Sequence, residues 1–71
     1  MAEEVRADMV ANVWKVLVAD GDSVAEGETL VILESMKMEI PVVAGTEGTV
    51  AGVHVSEGDV VQEGDLIAVI G

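Results

Sequence analysis

The sequence predicts an all-β fold, a small sandwich or barrel with pseudo-two-fold symmetry, on three observations. Valine dominates the composition, and its stiff β-branched side chain favours strands. Eight glycines fall at short intervals and supply turns. Finally, the chain repeats itself at an offset of 37 residues.

Taken in order, the apolar runs place strands at 3–9, 13–19, 29–34, 38–43, 49–55 and 65–70, with short bridging pieces at 23–25 and 60–62. Turn signals separate them: Asp20-Gly21-Asp22, Glu26-Gly27-Glu28, Gly45-Thr46-Glu47-Gly48, Glu57-Gly58-Asp59 and Glu63-Gly64-Asp65. Short strands at this spacing suit a sandwich or barrel.

Laid on 44–71 without a gap, residues 7–34 give 9 identities in 28 positions. Composition alone accounts for about 3. The clearest copy sets GDSVAEGETLVIL (21–33) against GDVVQEGDLIAVI (58–70). Each half offers one apolar face that it cannot bury alone, so the two halves are expected to face each other. The unrepeated connector, 35–43, sits where the other half has its chain ends. Pseudo-symmetry therefore sets the connector and the termini at opposite ends of one domain, 1–71.

Charge narrows the possible functions. Three basic and fourteen acidic residues give a net charge of −11. With only Arg6, Lys15 and Lys37 to meet phosphates, no nucleic-acid partner is expected. No apolar run approaches the ~18–20 residues that span a bilayer, and residues 1–8 hold no apolar leader. No membrane partner and a cytoplasmic location are the expectations. Without cysteine there is neither a disulfide nor a cysteine metal site, and a lone His54 leaves no nucleophile–base pair. His54 reads as an ordinary strand residue. Trp14 alternates with Val16 and Val18 and is expected at the core or its rim. The carboxylates lack ligand spacing and read as solvated turn and edge charges, so no metal site and no catalytic residue is predicted.

One stretch points to chemistry. Glu34-Ser35-Met36-Lys37-Met38-Glu39 lies between two strand-like runs and must form a hairpin, 34–39. Methionines on both sides of a turn lysine add nothing to a core, whereas soft flexible side chains suit a surface that another protein reads.

The ESMKME string, set midway between two G-D-x-V-x-x-G-[ED] copies, resembles the biotinyl/lipoyl attachment domains over about residues 5–71. The resemblance implies a flattened β-barrel of two four-stranded antiparallel sheets, a barrel-sandwich hybrid. It also implies a cofactor-bearing lysine at Lys37, with Glu34, Ser35, Met36 and Met38 read by a ligase. The chain departs from the family pattern at Asp8, Ala11 and Gly45, and a left-handed Ala11 would store strain. The gapless repeat leaves no room for the protruding thumb loop of one family branch.

What the resemblance implies is a free-standing carrier, not an enzyme. A lysine ammonium is no nucleophile near neutral pH, so biotin protein ligase must supply an activated acyl-adenylate and help remove the proton. Covalent biotin would then pass carboxyl groups between biotin carboxylase and carboxyltransferase partners, carried by a monomer. Lipoate, attached by lipoate ligase, is the alternative cargo, although Asp and Ala more often flank a lipoyl lysine. An unmodified adaptor module is the third reading, and it lacks the intact methionine–lysine–methionine hairpin.

Overall fold

The computed structural model describes residues 2–71, so residue 1 of the expected 1–71 domain lies outside the described residues. Eight strands follow one another: β1 (Glu3–Arg6), β2 (Ala11–Val16), β3 (Ser23–Val24), β4 (Thr29–Ser35), β5 (Met38–Val43), β6 (Gly48–Val53), β7 (Val60–Val61) and β8 (Leu66–Ile70). They form two four-stranded antiparallel sheets, β1-β8-β6-β3 and β5-β4-β2-β7. We refer to these as the terminal sheet and the hairpin sheet. Among the described residues no helix is long and apolar enough to cross a membrane.

Two expected strands differ from the observed ones by three residues at one end, the others by no more than two. The first stops at Arg6 instead of residue 9, because Ala7 leaves the ladder to bind the far turn. Its N–H donates to the Asp65 carbonyl (2.9 Å), and its carbonyl accepts from the Gly64 N–H (2.9 Å). The second runs 11–16 instead of 13–19. Ala11 and Asn12 pair with Val61 and Val60, while Ala19 already belongs to the next turn.

Every strand has a mate at the same offset: β2 with β6, β3 with β7, β4 with β8, and β1 with residues 40–43 of β5. Registers agree as well. Glu3 faces Ile70 as Ile40 faces Leu33, and Val5 faces Ala68 as Val42 faces Val31. The repeat therefore extends to 3–34 and 40–71, and the part without a mate shrinks from 35–43 to 35–39. Sequence identity misses β1 because only Val5 and Val42 match across that pair of strands.

The halves do not simply face each other as two sheets. Each half gives two central strands to one sheet and two edge strands to the other. β2 and β4 are flanked by β5 and β7 of the second half, and β6 and β8 by β1 and β3 of the first. The core is correspondingly shared. Val13, Leu30 and Leu33 and their mates Val50, Ile67 and Ile70 are almost wholly buried, each contributing roughly 1.5–3 kcal/mol.

The repeated motif supplies the stitching. Gly21 and Gly58 bend through left-handed backbone (φ +91° and +94°), which costs glycine little. Their N–H groups donate to Val50 and Val13 carbonyls of the opposite half, both at 2.8 Å. The acids were expected to be merely solvated, yet several accept backbone hydrogen bonds. Asp22 and Asp59 cap Ala19 and Ser56 N–H groups at 2.9 and 2.8 Å. Asp20 accepts from the Val53 N–H (2.9 Å), and its mate Glu57 accepts from the Val16 N–H (3.2 Å), so each half caps the other.

The departures from the family pattern are accommodated without backbone strain. Ala11 is not left-handed; it is a buried member of the core within β2. Its mate Gly48 is small for want of space, since a Cβ there would lie 2.9 Å from Ile70 Cγ2. Gly45 donates its N–H to Glu3 Oε1 (3.0 Å), and a side chain would collide with that carboxylate.

Candidate modification site on the β4–β5 hairpin

β4 and β5 pair continuously to their ends, with Glu34 opposite Glu39 and Ser35 opposite Met38. Only Met36 and Lys37 remain to reverse the chain. Two-residue hairpins favour primed turns, whose twist matches that of the strands, and a type I′ turn needs positive φ at both central residues. Met36 (φ 52°) and Lys37 (φ 66°) meet that requirement, and among the described residues they are the only non-glycine residues that do. Asn-Gly is the usual solution. Side chains in this region cost roughly 1–2 kcal/mol each, so strain is concentrated at the tip.

Nothing among the described residues covers the strained pair. Met36 is 92% exposed, Met38 63%, and Lys37 is exposed between them. Glu34 and Glu39 are exposed just below the turn, and Ser35 is half-buried. Among the described residues Lys37 takes part in no ion pair, the single salt bridge being Arg6–Glu4 at 2.8 Å on the surface. The arrangement presents one amine at the end of a rigid hairpin, open on all sides. Such an amine can be acylated by a partner enzyme.

The other residues weighed for function behave less uniformly. His54 lies just past β6, exposed, with its N–H donating to the Ile67 carbonyl (2.8 Å). Trp14 is 43% exposed and is not a core residue. Between Val13 and Lys15 the β2–β4 register slips by one residue, and that extra residue turns the indole outward. Lys15 Nζ then sits 5.5 Å from the ring centroid. Among the described residues no three His, Cys, Asp or Glu side chains gather as a metal site.

Comparison with known proteins agrees with this geometry. The family described as "Biotin-requiring enzyme" matches residues 3–70. A "Biotinylated protein TB7.3 homolog" of Mycobacterium leprae is 63% identical over 70 residues, covering 99% of each chain. The "Biotin/lipoyl attachment protein" of Bacillus subtilis is 51% identical over 63 residues, 89% of this chain and 86% of that one. Among solved structures, the Kluyveromyces lactis urea carboxylase superposes with a TM-score of 0.93 at 38% identity. That match covers all of this chain but 6% of the carboxylase, so the likeness is to one of its domains.

Proposed function

The chain belongs to the family of biotin-requiring enzymes, and from that premise we propose that Lys37 is the residue that carries biotin. The observation that carries this reading is the isolated amine itself. It stands at the second position of a type I′ turn, exposed, outside any ion pair among the described residues, and flanked by two exposed methionines. Covalent biotin fits such a site, because an amide to Lys37 needs one accessible nitrogen and no pocket.

Attachment requires an activated acyl group, and biotin protein ligase is the partner that supplies it. Lys37 Nζ, after losing a proton, attacks the acyl carbon of a biotinyl-adenylate. The C–N bond forms, the C–O bond to the phosphate breaks, and AMP leaves. Biotin, once bound, accepts and releases a carboxyl group. The chain's own residues act as a support. The paired β4 and β5 fix the turn, the turn aims Lys37 away from the core, and Met36 and Met38 keep its neighbourhood apolar. Biotin-dependent carboxylases are the partners this role serves. Free movement between two of their sites suits a monomer in the cytoplasm, and gel filtration of the modified domain checks the monomer.

Coexpression with biotin protein ligase should add a single biotinyl group, found on Lys37 by peptide mass mapping. Lys37→Ala should abolish the label with the fold intact. Label retained on Lys15 in that variant would overturn the assignment.

A further inference from the structure

We propose that the outer face of the hairpin sheet, centred on Trp14, is the surface on which biotin protein ligase docks to reach Lys37. The proposal rests on the reading of Lys37 above.

Pseudo-symmetry provides an internal control. The two sheets have matching backbones, so their outer faces would be alike if packing alone had shaped them. They are not alike. On the hairpin sheet Trp14, Pro41, Val43 and Val60 are exposed. Their mates on the terminal sheet are Ala51, Glu4, Arg6 and Ser23. At all four positions the larger apolar group, or the apolar group in place of a polar or charged one, lies on the sheet that ends in Lys37. Exposed apolar side chains clustered on one of two equivalent faces mark an interaction site, and an exposed tryptophan is the residue type most often found as an anchor.

Reach selects the partner. A specific contact buries roughly 800 Å² on each side, about 20 residues. A two-residue turn cannot supply that area, so a protein gripping Lys37 must spread onto the strands behind it. A ligase has to bring its acyl carbon to bonding distance of Nζ and therefore sits directly over the hairpin. A carboxylase meets biotin at the far end of the arm and has no such requirement. At ~3.3 Å per residue, the row Val60–Asn12–Glu34–Glu39 lies one step behind the Ser35–Met38 pair, and Lys15–Ile32–Pro41 about two steps further. The face is thus continuous with the turn.

Charge specifies the rim. Glu34 and Glu39 separate the apolar patch from the lysine, and the chain as a whole carries −11. A second copy would be repelled. The fitting surface has an apolar hollow for the indole and Lys or Arg side chains opposite Glu34 and Glu39.

The test uses the apo domain, a biotin protein ligase, biotin and ATP. Trp14→Ala should raise the KM for the domain by roughly 10-fold, as truncation of an aromatic anchor does, and leave kcat within about 2-fold. Val60→Ser, which installs the mate's residue, should raise KM more modestly, and Thr49→Ala on the terminal sheet should leave it unchanged. Amide resonances perturbed by added ligase should map to β2, β4 and β5. A KM for Trp14→Ala within about 2-fold of the parent overturns the proposal, as do perturbations confined to β6 and β8. It falls equally if the domain self-associates through Trp14. Label on a residue other than Lys37, with the Trp14 effect intact, would refute the attachment site and not the face; normal labelling of Lys37 without that effect would refute the face alone.

Discussion

The chain bends through left-handed backbone in two settings, and it fills them with opposite kinds of residue. At Gly21 and Gly58, and likewise at Gly27 and Gly64, which stitch one half to the other, the residue relieves the strain of the turn. At Met36 and Lys37 the residues create it. Both settings are open to solvent, since a Cβ added at Gly21 or Gly58 would meet nothing within 4 Å. The contrast therefore isolates backbone conformation from packing. Where a turn only has to hold the fold together, its residues suit its geometry. Where it has to present a chemical group, geometry yields to the group, as happens elsewhere at functional sites.

The sharpest way to break this contrast is to put side chains on the glycines. Gly21→Ala and Gly58→Ala should each lose about 1–2 kcal/mol, and the double variant roughly twice that, because the cost is conformational and the sites are separate. Urea unfolding reads the loss, and a double variant as stable as the parent would contradict the assigned backbone. The reverse exchange is smaller. Met36→Asn with Lys37→Gly should stabilise the domain by about 1 kcal/mol, the relieved strain less the entropy cost of glycine, while removing all biotinylation. A loss of stability there would mean that the tip is not strained. Smallest of all, Met36→Ala should move the unfolding free energy by less than ~0.5 kcal/mol, since the side chain touches no core. Its effect should appear instead in how fast the ligase modifies Lys37.

Much of this could be read from the sequence. The 37-residue repeat, with its Gly-Asp turns, set out both halves and all eight strands to within a few residues. Two methionines around a lysine marked the hairpin. What was hidden has physical causes. A repeat reveals two copies but not which strand pairs with which, so the exchange of edge strands between halves was invisible. Alternation placed Trp14 inward because it assumes an unbroken register, and the slip between Val13 and Lys15 reverses the phase. The left-handed pair at the tip gave no signal, because neither Met36 nor Lys37 is a residue that favours it. The carboxylates of the turns looked like surface charge, since nothing in a sequence shows that Asp20 caps Val53.

The exchange of edges also governs when this domain can come into being. The terminal sheet opens with residue 3 hydrogen-bonded beside residue 70, so its first strand has no partner until residues 66–70 have been made. The hairpin sheet lacks its outer strand until residues 60–61 arrive. Almost every pairing outside the β4–β5 hairpin joins distant parts of the chain, a topology that folds late and all at once. On the ribosome, a nascent chain ending at residue 40 holds Lys37 but no barrel to carry it. Lys37 acquires its setting only once residues 66–70 have been made.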